Sequence, residues 1–321
     1  MKNKIISLLL LLPFSLCSFY VKADEEENEV EDKTIVLPPL FEFPVASEEL
    51  DWNDRSDWLV SHFWEPFDFK QSAVGQHQLN HAFSTWMVPM RYAALPTIFA
   101  SVDNLIKKLE KNPTLLLQFT RAAEYAIYDP ETAELWIDPV YMKFIEALKS
   151  NKKISQTYKT KYGRQLTTLE NSKVGYPVAP FKFTSRSGEK LTFAPSGKIT
   201  LVEFGNPECP DCQMARIAIK RDDTISNLFN EGLLDIYFII PDIDESDLTW
   251  TQEVMDYPDN WIVGASDDVS DILDIRVSPC IYLFDSEGRL LLKNVHLNDV
   301  ITTLKQVEMS KNQETPISEL E

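Results

Sequence analysis

The sequence predicts two fold classes in one chain: an all-α region followed by an α/β domain. Three observations carry that expectation. From about Glu48 to Gly163, apolar residues recur three and four positions apart, the period of a helix face. Beyond Pro180, short β-branched and aromatic runs alternate with helical segments, the pattern of a sheet covered by helices. At the end of one such run, Ile199–Phe204, the chain turns into Cys209-Pro210-Asp211-Cys212 and a further helical stretch. The length of 321 residues suits about two domains, and a 44% hydrophobic fraction is enough for packed cores.

Residues 1–23 read as a secretory signal. Lys2 and Lys4 supply the positive start, Ile5–Phe14 the apolar stretch, and Val21-Lys22-Ala23 a small-residue cleavage site. Pro13 interrupts the apolar stretch, which falls short of the ~20 residues a spanning helix needs. Cys17 raises a lipid-anchored alternative, but the residue before it, Leu16, is bulkier than such signals use, so cleavage after Ala23 is the better reading. Cleavage there removes three lysines and no acids, leaving 28 basic against 50 acidic residues. So acidic a chain is not expected to bind nucleic acid or an anionic membrane surface. Export to the periplasm or cell envelope also sets the sulfur chemistry. Three cysteines remain, an odd number, so a framework of structural disulfides is not expected.

Residues 24–47 form a linker, acidic from Asp24 to Lys33 and then an extended, proline-containing connector from Ile35 to Pro44 that can pack on the body. The helical domain is expected over 48–170, with about five helices. Their apolar faces are marked by Trp58, Leu59, His62 and Phe63; by Leu79, Phe83, Trp86, Met87 and Met90; and by Val102, Leu105, Ile106 and Leu109. The runs Leu115–Ile127 and Val140–Leu148 complete the set. Asp138-Pro139 reads as an N-cap followed by proline in the first turn. The aromatic run Trp52, Trp58, Phe63, Trp64, Phe67, Phe69 is read as core rather than a ligand cage. His77 and His81, four apart on a helix, lack a third metal ligand and are read as solvated or packed.

Asn171–Pro180, with Gly175, Pro177 and Pro180, marks the boundary to a second domain over 171–310. There the expected order is a hairpin (Phe181–Thr184 and Lys190–Phe193, turning at Ser187-Gly188), the strand Ile199–Phe204, a helix from Pro210, and the strand Leu234–Pro241. A helical or irregular stretch with Trp250 and Trp261 follows, then a short helix near Asp267–Leu273. The strands Cys280–Phe284 and Arg289–Lys293 and a helix Leu297–Val307 finish the domain, leaving 311–321 as a polar tail.

The cysteine pair carries the chemistry. A helix N-terminus presents unsatisfied N–H groups and partial positive charge, which favour a thiolate, the reactive form of cysteine. Cys209, nearest that end, is the expected nucleophile. Cys212, three residues on and on the same face, is the expected resolving thiol. An inert disulfide and a zinc half-site are the bland alternatives, and no second CxxC is present to complete a zinc site. The carboxylates of Glu208 and Asp211 are expected to disfavour the thiolate, making the pair a reductant. Glu203, between Val202 and Phe204, either points inward beneath the sulfurs as a proton acceptor for Cys212 or turns to solvent. Pro279 opens an apolar strand, an unusual position for a residue without an N–H. Cys280 beside it is either a buried core thiol or a third redox sulfur.

On these residues the segment from about 172 to 310 resembles the thioredoxin fold, in the style of secreted TlpA-like thiol–disulfide oxidoreductases. Cys209 and Cys212 match that family's active-site pair, Pro279 its cis-proline, Glu203 its buried acid, and Asp285-Ser286-Glu287-Gly288 the hairpin turn before the last strand. The resemblance implies that Ser278 offers its backbone to an extended substrate segment. The preceding half resembles a helical domain of unknown function found ahead of thioredoxin domains in some Gram-negative envelope proteins. The expected activity is disulfide exchange with proteins, fed by an upstream redox donor and needing no cofactor or metal. The rival expectation is a binding protein that uses the fold as scaffold.

Overall fold

The computed structural model describes residues 38–128, 138–194, 197–244 and 249–314. The expected secretory signal, Cys17, the expected acidic spacer and residues 315–321 lie outside them. Six helices among the described residues precede the first strand: α1 Trp52–His62, α2 Gln76–Met90, α3 Leu95–Leu109, α4 Pro113–Tyr128, α5 Asp138–Ser150 and α6 Gln156–Asn171. Asp51 starts α1 by accepting the Asp54 N–H on its carboxylate at 2.9 Å. The apolar faces converge on one core that includes Phe63, Trp64, Phe67, Phe83, Trp86, Phe119 and Phe144. At its centre the Val60 carbonyl, near the end of α1, accepts both the Trp86 indole N–H (3.0 Å) and the Ser101 hydroxyl (2.6 Å). This satisfies the polar edge of a fully buried indole.

The connector packs where the sequence allowed: Phe41 lies edge-on to Phe63 at 5.6 Å, and Phe43 stacks near the His81 ring. Most of the aromatic run is core, but Trp52 is 60% exposed and touches only the edge of Tyr92 among the ring contacts. His77 and His81 are both exposed. Helix α6 adds a sixth helix to the five whose apolar faces the sequence marks, running through Gly163 to Asn171. Asp138, read as a cap, is the first residue of α5, and its carboxylate also reaches out of the helical region to Arg276 and Lys293.

The remaining chain builds one seven-stranded sheet from β1 Lys182–Ser185, β2 Lys190–Thr192, β3 Ile199–Phe204, β4 Leu234–Ile240, β5 Ile262–Ala265, β6 Cys280–Phe284 and β7 Leu290–Lys293. Its order is β2-β1-β5-β4-β3-β6-β7. β3, β4 and β5 run parallel, and the pairs β3–β6, β6–β7, β1–β5 and β1–β2 are antiparallel. The helices are α7 Pro210–Arg221, α8 Asp223–Asn230, α9 Trp250–Glu253, α10 Val269–Ile272 and α11 Leu297–Glu314. Strand β5 and helix α8 go beyond the elements the sequence predicts, and α11 runs into the expected polar tail.

Alternation divides the sheet between two cores. Leu201, Ile236, Phe238, Ile240, Ile281 and Leu283 pack with α7, α8 and α11. Val202, Phe204, Tyr237, Ile239, Cys280, Tyr282 and Phe284 pack with the β1–β2 hairpin and α10. β3 is therefore buried on both faces, which removes the solvent-facing reading of Glu203.

The junction between the helical and sheet regions is polar and hydrogen-bonded. Residues 175–177 run along β7: the Gly175 N–H donates to Leu290 O (2.8 Å), the Leu290 N–H to Tyr176 O (2.9 Å), and Pro177 bridges Arg289. Asn171 Nδ2 donates to Ile272 O, and the Asp274 N–H to Ser172 Oγ. Burial alone would raise the Asp138 carboxyl, but Arg276 and then Lys293 outweigh it and hold the group below the usual range. No helix among the described residues is long and apolar enough to cross a membrane.

Candidate active site

β3 delivers the chain to Gly205, and Asn206 then builds the turn. Its side chain accepts the Glu208 N–H (2.8 Å) and its carbonyl the Cys209 N–H (3.0 Å). Cys209 is the N-cap of α7, with Pro210 in the first turn, where its missing N–H costs nothing. The Cys209 sulfur takes the role usually filled by Ser or Asp, accepting the Cys212 N–H at 3.5 Å. Cys209 is half-buried, Cys212 fully buried, and both are free thiols.

From the opposite side comes the loop before β6, with a cis Ser278–Pro279 bond. Ser278 faces both sulfurs: its carbonyl lies 3.8 Å from Cys209 Sγ and its hydroxyl 3.2 Å from Cys212 Sγ. The two thiols are driven apart in acidity. The Cys212 side chain and N–H, with the Asp211 N–H and Ser278, lower the Cys209 thiol below its ordinary value. Burial pushes the Cys212 thiol up to about 11. The expected opposition from Glu208 and Asp211 is thus overturned: hydrogen bonds aimed at the Cys209 sulfur dominate, and Asp211 contributes through its backbone N–H.

Glu203 lies on the α7 side of β3, between Phe238 and Ile281 in the ladder. It is 1% exposed, and neither carboxylate oxygen has a hydrogen-bond partner among the described residues. Burial pushes its carboxyl up to about 8; the Arg216 guanidinium opposes this and Cys209 adds to it. The group is therefore poised to take up and release a proton near neutral pH. Cys280 goes elsewhere. It sits in the core on the other face, donates to Asn294 Oδ1 at 3.0 Å, and is pushed up to about 12 by burial. The structure brings Cys209, Cys212, Ser278, Pro279 and Glu203 to the C-terminal end of β3, while Cys280, at the same end, turns into the core on the other face.

Three neighbours escaped the sequence. Gly205 is required by close approach, since a Cβ there would sit 2.8 Å from the Cys212 sulfur. Its position straight after an apolar strand was the available signal. Arg216, one turn beyond Cys212, lies over the Tyr257 ring at 4.3 Å, and Tyr257 packs on Phe238. Tyr257 lies between α9 and β5, in a stretch whose sequence has no periodic pattern.

Over 84% of this chain and 99% of its own, a thioredoxin-like protein from Bacteroides caccae superposes with a TM-score of 0.71 at 20% identity. The chain has a thioredoxin-like fold. That match extends through the helical region as well as the thioredoxin-like sheet. A family model described as a domain of unknown function, DUF5106, matches residues 17–172. Two partial structural likenesses cover 42% of the chain. One is to the C-terminal domain of an uncharacterized protein from Bacteroides fragilis (26% identity, 99% of that chain, TM-score 0.39). The other is to the thioredoxin domain of a thiol-disulfide oxidoreductase from Bacteroides vulgatus (24% identity, 97% of that chain, TM-score 0.36). No protein of curated function matches the sequence.

Proposed function

We propose that the protein is an exported thiol–disulfide oxidoreductase that reduces protein disulfides through Cys209 and Cys212. The observation that carries this reading is the pairing of a half-exposed, acidified Cys209 sulfur with a buried, protonated Cys212 directly beneath it. The Cys209 thiolate attacks one sulfur of a substrate disulfide, forming a mixed disulfide and expelling the other substrate sulfur as a thiolate. Cys212 then gives up its proton and attacks Cys209. The Cys209–Cys212 disulfide closes and the second substrate sulfur leaves. Glu203, in ionised form, is the base that receives the Cys212 proton, in a site otherwise walled by Phe238 and Ile281. Ser278 and Pro279 hold an extended substrate segment beside Cys209. An upstream redox donor restores the dithiol.

The reducing direction is a proposal from the sequence, and equilibration with glutathione decides it. The lowered Cys209 thiol acts against that direction, which is carried by the Glu208 and Asp211 carboxylates flanking the pair in the sequence. The periplasm or envelope location rests on the basic-then-apolar start of the sequence, and the division into domains at 48–170 and 171–310 on the Asn171–Pro180 boundary. A net charge of −19 supports proteins rather than nucleic acid as partners.

The test is insulin reduction with dithiothreitol. Cys209→Ser should fall to the uncatalysed rate, and wild-type protein no faster than Cys209→Ser would instead favour a binding protein built on this scaffold. Equilibration with glutathione checks the direction. A disulfide as oxidising as those of oxidative-folding catalysts would reverse it.

A further inference from the structure

The segment Ile272–Arg276 leads directly into Ser278–Pro279 and is gripped by the helical region at three points. Asn171 Nδ2 donates to Ile272 O at 2.9 Å, and Ser172 Oγ accepts the Asp274 N–H at 3.0 Å. Asp138, at the start of α5, accepts Arg276 Nη2 at 2.5 Å and Lys293 Nζ at 2.6 Å. Asp274 closes the cluster from within the sheet region, bonding Arg276 Nη2 at 2.5 Å, Arg276 Nε at 3.0 Å and Lys293 Nζ at 2.7 Å. Two carboxylates thus balance two cations whose side chains are only 7% and 5% exposed.

Charges this far from water persist only when paired. Without Asp138, Arg276 and Lys293 would share one carboxylate. The Asp274 backbone is itself pinned, its carbonyl accepting Tyr282 OH (2.8 Å) and Asn294 Nδ2 (3.0 Å). Past Arg276 the chain emerges: Val277 is 44% exposed, and Ser278 faces the sulfurs from an exposed position. Arg276 is therefore the last anchored residue before the loop that meets Cys209.

We propose that the helical region clamps the Ser278–Pro279 loop, with Asp138 as the positioning residue through which it acts on protein substrates. This rests on the oxidoreductase reading and gives the helical region a part in it. Asp138 touches neither sulfur. It acts by fixing Arg276 two residues from Ser278, and so fixes where an extended segment can lie beside Cys209. A reacting group displaced by about 1 Å can lose ~10²-fold in rate. A small disulfide needs Cys209 but no extended track, so it does not sense the clamp.

The test uses the full chain with two substrates, insulin and 2-hydroxyethyl disulfide. Asp138→Asn should raise KM for insulin on the order of tenfold, within the ~10²-fold range open to such misplacement, and leave the small-disulfide rate within about twofold. Asp138→Glu should recover most of the loss. Asn171→Ala, a milder cut in the same clamp, should show the same split at about threefold, and it decides the matter if Asp138→Asn does not fold. An unchanged insulin KM in the folded variants, or equal loss on both substrates, overturns the clamp. Wild-type protein inert on both substrates would instead sink the underlying activity.

Discussion

The two faces of the central sheet each hold cysteine sulfur, in opposite circumstances. On the α7 face, Cys209 is half-exposed at a helix N-terminus, and its thiol is lowered by hydrogen bonds to the sulfur. On the other face, Cys280 is sealed among Phe204, Tyr282 and Phe284 and is pushed up to about 12. The difference lies in access and in which state of the sulfur its neighbours stabilise. The polar groups follow the same division. The α7 face leaves Glu203 without a hydrogen-bond partner among the described residues, whereas on the far face the Tyr282 hydroxyl and the Cys280 thiol both find acceptors. Buried groups left unsatisfied cost free energy, and such costs concentrate where chemistry is done.

The sharpest way to break this comparison is alkylation of the reduced, folded protein. Iodoacetamide at about pH 7.5 should label Cys209 first, Cys212 on the order of 10²-fold slower, and Cys280 only on global unfolding, because modification follows thiolate fraction and access. Mass mapping of the labelled peptides reads the order, and early labelling of Cys280 would erase the contrast between the faces.

Next in size is Glu203→Gln. The Glu203 carboxyl titrates at about 8 in the folded protein against 4.5 as its ordinary value, so the folded state binds the extra proton between those pH values. Stability contributed by that proton is full below about pH 4.5 and is lost as pH rises towards 8. The neutral glutamine has no such dependence. Relative to wild type, the variant should gain roughly 2–5 kcal/mol between about pH 4.5 and 8.5, since each tenfold change in proton affinity is worth about 1.36 kcal/mol. Urea unfolding at the two pH values measures it, and a constant difference would mean that Glu203 is ionised or hydrated in the folded state.

The smallest effect belongs to Gly205→Ala. A methyl group 2.8 Å from Cys212 Sγ must push the sulfur or the strand aside. The expected loss is about 1–3 kcal/mol, with slower closure of the Cys209–Cys212 disulfide. Quenched-flow alkylation after a peptide-disulfide pulse follows that closure, and closure at the wild-type rate would show the contact to be slack.

Much of this site was legible because local signals and tertiary structure agree. The β-branched run Ile199–Phe204, the turn and the CxxC each demand the strand–loop–helix they form. What stayed hidden had a physical reason in each case. β5 is four residues long and includes Gly264, where a Cβ would meet the Phe183 ring at 2.5 Å; pairing with β1 and β4, not its own pattern, makes it a strand. α8 follows α7 with only Asp222 between them, ending one helix and capping the next through a bond to the Ile225 N–H, so the two read as a single periodic run. Alternation alone could not settle Glu203, because the pattern distinguishes faces only where one of them is wet. The charges of Glu208 and Asp211, near in sequence, point the wrong way for the acidity of Cys209, whereas the hydrogen bonds that decide it depend on the helix turn and on Ser278. Nothing in the sequence ties Asp138 to Arg276; only the fold does.

The run of residues 175–177 along β7 bears on how the protein behaves in concentrated solution. β7 is the last strand of the sheet and carries Leu290, Leu291 and Leu292 in succession, an edge suited to pairing with another chain. Gly175 and Tyr176 already occupy both backbone hydrogen-bonding groups of Leu290, so the end of this edge is closed to a second molecule. The stretch whose prolines look like the natural place to divide the chain is also the guard on its stickiest edge. A C-terminal half begun at Phe181 would lose that guard and is the version of this protein expected to self-associate.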